Sequence, residues 1–157
     1  MELTENSGWL GLSLTYHFLA EACLGQDKNE DALEAAYQAL MHARGTGAQQ
    51  ALGAAWRSLG KVASKKNEEL VIDEKDYQAE DCLKRSDRIF TELGADGERA
   101  HTQKAWAEHE MKSGDKKLGK KMWAEAREIF IRLEMPAEVE RMDKEQLKVR
   151  HEKRDLK

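Results

Sequence analysis

This chain is short of almost everything that marks a secreted, membrane or metal-binding protein. It has one proline, two cysteines and no long apolar run in 157 residues. Without about 18 consecutive apolar residues there is no candidate membrane span. The N-terminus lacks the charged-then-apolar order of a secretory leader. Cys23 and Cys82 each lie inside an apolar helical stretch and have no CxxC companion. That spacing gives no basis for a disulfide framework or a cysteine–metal site. Both thiols are expected to be reduced and buried in a cytoplasmic protein. Aromatic residues make up 6% and β-branched residues are few, which disfavours strands. The net charge of −4 is the difference of 26 basic and 30 acidic side chains, finely mixed along the chain. A nucleic-acid binder needs a basic excess gathered on one face. Neither nucleic acid nor membrane is therefore expected as a partner.

Motifs that carry chemistry are missing too. The sequence contains no GxSxG, no GxxxxGK[ST] and no HExxH. Glycines fall at helix ends rather than in a phosphate-cradling loop. Carboxylates alternate with lysines and arginines at the i,i+4 spacing of solvated helix faces. His17 and Glu21 share a helix face, but a zinc site needs three or four converging ligands. His42, His101, His109 and His151 add no companion spacing. No catalytic residue, no metal and no cofactor is expected.

What the chain does have is a segment that recurs. Ala79 to Gly94 reads AEDCLKRSDRIFTELG, and forty residues later Gly119 to Glu134 reads GKKMWAEAREIFIRLE. Forty-seven residues before the first, Ala32 to Gly47 reads ALEAAYQALMHARGTG. Self-similarity at such a period marks a helical repeat array, in which a unit buries its apolar face against a copy of itself. Ala, Leu, Glu and Lys dominate, which favours helix.

Periodicity and punctuation place seven helices. They cover about residues 7–24, 29–44, 48–65, 77–93, 98–112, 116–133 and 137–153. Asp27 and Glu30 have capping-box spacing before the second helix. Gly47 and Gly94 fit left-handed helix ends, and Pro136 suits a first turn. Residues 66–75 form the most irregular segment, expected to be a loop or a helix extension. The whole reads as one all-α domain over residues 1–157. Repeats span about 9–45, 48–94 and 97–134, and a capping helix spans about 137–153. Trp9, Trp56, Trp106 and Trp123 fall at apolar helical positions, as core knobs.

Small residues recur where paired helices must approach. Leu19-Ala20, Leu59-Gly60 and Trp106-Ala107 share one position in the first helix of each pair. Ala32, Ala79 and Gly119 share one position of the second helix, and Ala39, Ser86 and Ala126 another. This pattern resembles the tetratricopeptide repeat over about residues 9–135. It departs from that family in repeat length, in lacking the closing prolines of the first two repeats, and at Ser86 and Gly119. The run from RSDRIFTELG to PAEVERM is further similar to the C-terminal repeat arrays of large bacterial signalling proteins. The resemblance implies an antiparallel helix-pair solenoid that serves as a non-catalytic protein-binding scaffold or sensor arm. Two other roles are a self-assembly module, or a regulatory lid on an upstream ATPase, cyclase or kinase domain.

The resemblance also implies where a partner binds: the first helices of the pairs line a concave groove. Position by position, that groove takes His17 and Glu21, with Leu14 and Leu24, from the first repeat. The second adds Arg57, Lys61 and Lys65, with Ala54. The third adds His101, Lys104 and Glu108, with Lys112. The last two repeats lean positive, so an acidic peptide is the expected partner, through charge-assisted hydrogen bonds. No asparagine of the carboxylate-clamp type accompanies them. The first helix is apolar nearly all round, which calls for burial on more than one side. Trp9, Leu10 and Leu14 are therefore expected at a homodimer contact, while Leu19, Ala20 and Cys23 serve the repeat interior.

Overall fold

The structure, a computed structural model, describes the backbone of residues 2–156 and the side chains of residues 11–156. The described residues form an all-α fold of seven helices. They are α1 (Glu2–Gly25), α2 (Asn29–Thr46), α3 (Gln49–Lys66), α4 (Ala79–Leu93), α5 (Asp96–Ser113), α6 (Lys116–Arg132) and α7 (Pro136–Asp155). Each helix packs on the next, and α1 also touches α3 while α3 touches α5. The odd-numbered helices thus lie side by side, with the even ones packed between successive neighbours. Glycines end helices as expected at Gly47 and Gly94, with φ of 66° and 64°. The capping box expected at Asp27 and Glu30 does not form. Asp27 is left-handed at φ 60° and pairs with Lys65, and Glu30 pairs with Lys66. A box-like contact instead opens α4, where the Gln78 backbone N–H donates to Asp81 at 2.9 Å.

The seams inside the helix pairs explain the small residues. Ala20 and Ala32 are both fully buried between α1 and α2. Between α3 and α4 the glycine is on the first helix. A Cβ on Gly60 would lie 2.7 Å from Leu83 Cγ and 3.2 Å from the Ala79 carbonyl. Between α5 and α6 it is on the second helix. A Cβ on Gly119 would lie 2.8 Å from the Met111 amide and 2.9 Å from the Ala107 carbonyl. At these two close approaches a missing Cβ on one helix is enough for the backbones to close. The serines trade places in the same way. Ser13 of α1 donates to the Ala39 carbonyl of α2 at 2.9 Å, while Ser86 of α4 donates to the Gly53 carbonyl of α3 at 2.8 Å. Each buried hydroxyl is thus satisfied across its seam.

Residues 70–77 correct the expectation of a loop or helix extension, and of a chain without β-structure. They form a hairpin of β1 (Leu70–Ile72) and β2 (Lys75–Tyr77), with Ile72 paired to Lys75. Asp73 and Glu74 make the two-residue turn at φ 51° and 63°. Positive φ at both positions is the turn whose twist matches a hairpin. Leu70 and Ile72 enter the core beside Trp56, and Arg85 lies over the Trp56 and Tyr77 rings at 4.9 and 5.1 Å.

At the C-terminal end α7 covers α6 only with its first half. Met142 is fully buried, whereas residues 146–156 are exposed on every side. The cap therefore ends near Glu145. Leu19, expected inside the first repeat, is instead 49% exposed, and Cys23 is half-buried. Trp9 and Leu10 lie outside the described side chains. No helix among the described residues is long and apolar enough to cross a membrane.

Candidate functional site

The odd helices enclose a cleft of roughly 340 Å³. Positions three, four and seven apart on one helix share a face. In this way α1 supplies Leu14, His17, Phe18 and Glu21, and α3 supplies Gln50, Ala54, Arg57 and Lys61. From α5 come Glu98, His101, Lys104, Ala105 and Glu108, and from α7 come Glu138 and Arg141. Every groove residue expected from the sequence lines this cleft except Lys65, Leu24 and Lys112. Lys65 is drawn off to Asp27 and the Leu24 carbonyl, Leu24 is buried, and Lys112 donates to the Ser64 carbonyl.

Six lining residues escaped the sequence reading, and two of them, Glu138 and Arg141, lie on α7. Alignment by repeats stops at residue 135, so α7 counts only as a cap. Forty residues separate Glu98 from Glu138 and His101 from Arg141, the same spacing that relates the α4 and α6 segments. In the fold α7 is a fourth member of the odd layer. Glu98, Phe18, Gln50 and Ala105 sit beside the expected groove positions, on the same helix stripes.

The charges in the cleft are already matched. Arg57, Lys61, Lys104 and Arg141 face Glu21, Glu98, Glu108 and Glu138. Arg57 is only 7% exposed. Its guanidinium pairs with the Glu98 carboxylate at 2.9 Å and donates to the Glu98 carbonyl at 3.1 Å, both on the first turn of α5. It also lies over the Phe90 ring at 5.5 Å. Arg57 is a bolt between α3 and α5. Lys61 pairs with Glu21 across α3 and α1. Lys104 reaches Glu145 of α7 at 3.1 Å and lies 3.8 Å from Glu108. The positive lean read from the first helices is thus offset by Glu98 and Glu138, and by the pairs themselves.

The titrating groups report the same enclosure. His17 has its pKa lowered to about 4, first by burial and then by the Arg57 charge. Its Nδ1 shares a hydrogen bond with Ser58 Oγ at 2.7 Å. His101 is lowered for the same two reasons. Both imidazoles are neutral at pH 7 and act as hydrogen-bonding groups. Burial would raise Glu21, but the Lys61 charge and hydrogen bond outweigh it and hold the carboxyl low. Glu108 goes the other way, since burial in the cleft raises it more than Lys104 lowers it.

His17 and Ser58 have the separation of a base and a nucleophile, but Ser58 is fully buried. An attacking hydroxyl must reach its substrate. Among the described residues no group of three His, Cys, Asp or Glu side chains could hold a metal ion. What the cleft offers is a floor of matched charges, two neutral imidazoles, and an apolar lip of Leu14 and Phe18, 37% and 66% exposed.

No family model, no curated protein and no solved structure matches this chain.

Proposed function

We propose that this chain is a tetratricopeptide-like helix-pair solenoid that binds a peptide segment of another protein without catalysis. The observation that carries this reading is the convergence of one stripe from each of four odd helices on one cleft. A surface built from equivalent positions of repeated units is the way solenoids make an extended binding face. The matched charges favour a segment of mixed charge over a purely acidic one. An acidic ligand would have to compete with Glu21, Glu98 and Glu145 for cations that already have partners. An apolar side chain of the segment rests on Leu14 and Phe18, the large apolar groups that line the cleft among the described residues. The similarity of residues 85–142 to the arrays of bacterial signalling proteins supports a place as the sensing arm of such a regulator.

Selection from a random peptide library tests this. Phe18→Ser and Arg141→Ala change exposed lining groups and should leave folding intact. Selected peptides should bind each variant about tenfold more weakly, the effect of losing one modest contact. Peptides that bind both variants unchanged, or a selection that enriches nothing, would overturn the cleft as the binding surface.

A further inference from the structure

The outer face of α1 is the surface least like the rest of the molecule. Charged residues are 36% of the chain, yet none points outward from this helix between Gly11 and Gly25. His17 and Glu21, the candidates, are turned inward to Ser58 and Lys61. The outward arc holds Gly11, Leu12, Leu14, Thr15, Phe18, Leu19 and Ala22, all exposed. Leu12 and Leu19 are 44% and 49% exposed, and Phe18 is 66%. The arc covers roughly 160° of the helix, wider than the apolar stripe of an ordinary surface helix.

We infer that this face pairs with the same face of a second copy of the chain, by an antiparallel two-fold contact of α1 on α1. Charge decides the occupant. The other end of the stack exposes Arg141, Lys144, Lys148 and Arg150 on α7. Stacking α1 on that end would strip water from charges that gain no partner, a large cost. Covering α1 with α1 buries no charge on either side of the contact over the described side chains. The two-fold operation makes the contact self-complementary. Small residues permit the approach: nothing lies within 4 Å of where a Cβ on Gly11 would be. An axis passing near residues 16 and 17 sets Phe18 over Thr15 of the second copy, and Gly11 over its Ala22. Leu14 and Phe18 border both this face and the cleft, so the two clefts of a dimer open beside the seam.

Sedimentation of the full chain over a concentration series tests the inference. The unmodified chain should be dimeric at high micromolar concentration. Leu12→Glu with Leu19→Glu, both away from the cleft, should raise the dimer dissociation constant on the order of 100-fold. Helical signal, and the melting temperature of the dilute protomer, should be kept, because both leucines are exposed in the single chain. Thr15→Cys should add a disulfide-linked dimer on oxidation that Lys148→Cys does not. An unmodified chain that stays monomeric overturns the inference and leaves the face to another protein segment. A dimer that survives the double substitution, or equal cross-linking at both cysteines, also overturns it. Peptide binding in the cleft can pass or fail independently of these outcomes.

Discussion

The two long faces of α1 differ as much as any two surfaces of this protein. The inner face meets α3 through polar groups: His17 on Ser58, and Glu21 on Lys61. The outer face has apolar groups that no other helix covers among the described residues. The contrast shows how little of a formal charge count is free to act on other molecules. Lysines and arginines that look like a basic groove in the sequence hold the odd helices together in the fold. Buried pairs of this kind are costly to break because the surviving partner keeps its desolvation penalty. The uncharged face has no such internal role, and this makes it the more available surface.

The largest change comes from forcing apart a helix-pair seam, on which the placement of the odd helices depends. Gly119→Leu meets backbone atoms of Met111 and Ala107, whereas Gly60→Leu first meets the movable Leu83 side chain. Chemical denaturation should show a loss of about 3 kcal/mol or more for Gly119→Leu, and about 1–3 kcal/mol for Gly60→Leu. Equal tolerance of both would contradict the seam geometry.

Arg57→Met strikes the polar contacts between the odd helices and leaves the outer face of α1 untouched. It leaves Glu98 without its cation and should cost about 2–4 kcal/mol. Lys61→Met, at a pair about a third exposed on each side, should cost under about 1 kcal/mol. Similar losses from the two would mean that Arg57 is no bolt.

Acid separates the faces by a different route. The folded chain holds His17 neutral down to about pH 4, while the unfolded chain protonates it near the ordinary histidine value of 6.5. The unfolded state therefore binds the extra proton between those values, so this contribution is fully present above pH 6.5 and is lost as pH falls toward 4. Denaturation midpoints should record a loss of roughly 2 kcal/mol by pH 4.5. His17→Gln should flatten that slope, leaving a residue from His101. A slope unchanged by His17→Gln would remove His17 as its source.

The smallest effect belongs to the outer face. Leu12→Glu should alter the stability of the isolated protomer by no more than about 0.5 kcal/mol, measured in dilute solution. A loss several times larger would place Leu12 inside the fold.

Helix number and most helix ends were legible, because glycine stops, Pro136 and the recurring segment are local signals. The pairing of small residues at Ala20, Gly60 and Ala107 could also be read. The hairpin could not, since Asp73-Glu74 lacks the glycine that usually announces a turn with two positive φ values. Leu70-Val71-Ile72 was its only trace, too short to tell a strand from an apolar helix turn. In the cleft, α1, α3 and α5 yielded their residues to helix periodicity. The contribution of α7 was hidden because its pair stops after one helix. The electrostatic sign was hidden as well, since matching Arg57 to Glu98 requires knowing which helices are neighbours.

The central claim is that the cleft binds a peptide over a floor of charges already satisfied within the protein. The direct test is an amide-resolved NMR titration with a selected peptide at low and high salt. Perturbed amides should cluster on α1, α3, α5 and the first half of α7. The affinity should change less than about threefold between roughly 0.05 and 0.5 M salt, because the ligand displaces few free ions. Perturbations elsewhere, or an affinity that collapses as salt rises, would contradict the account and restore a free basic groove.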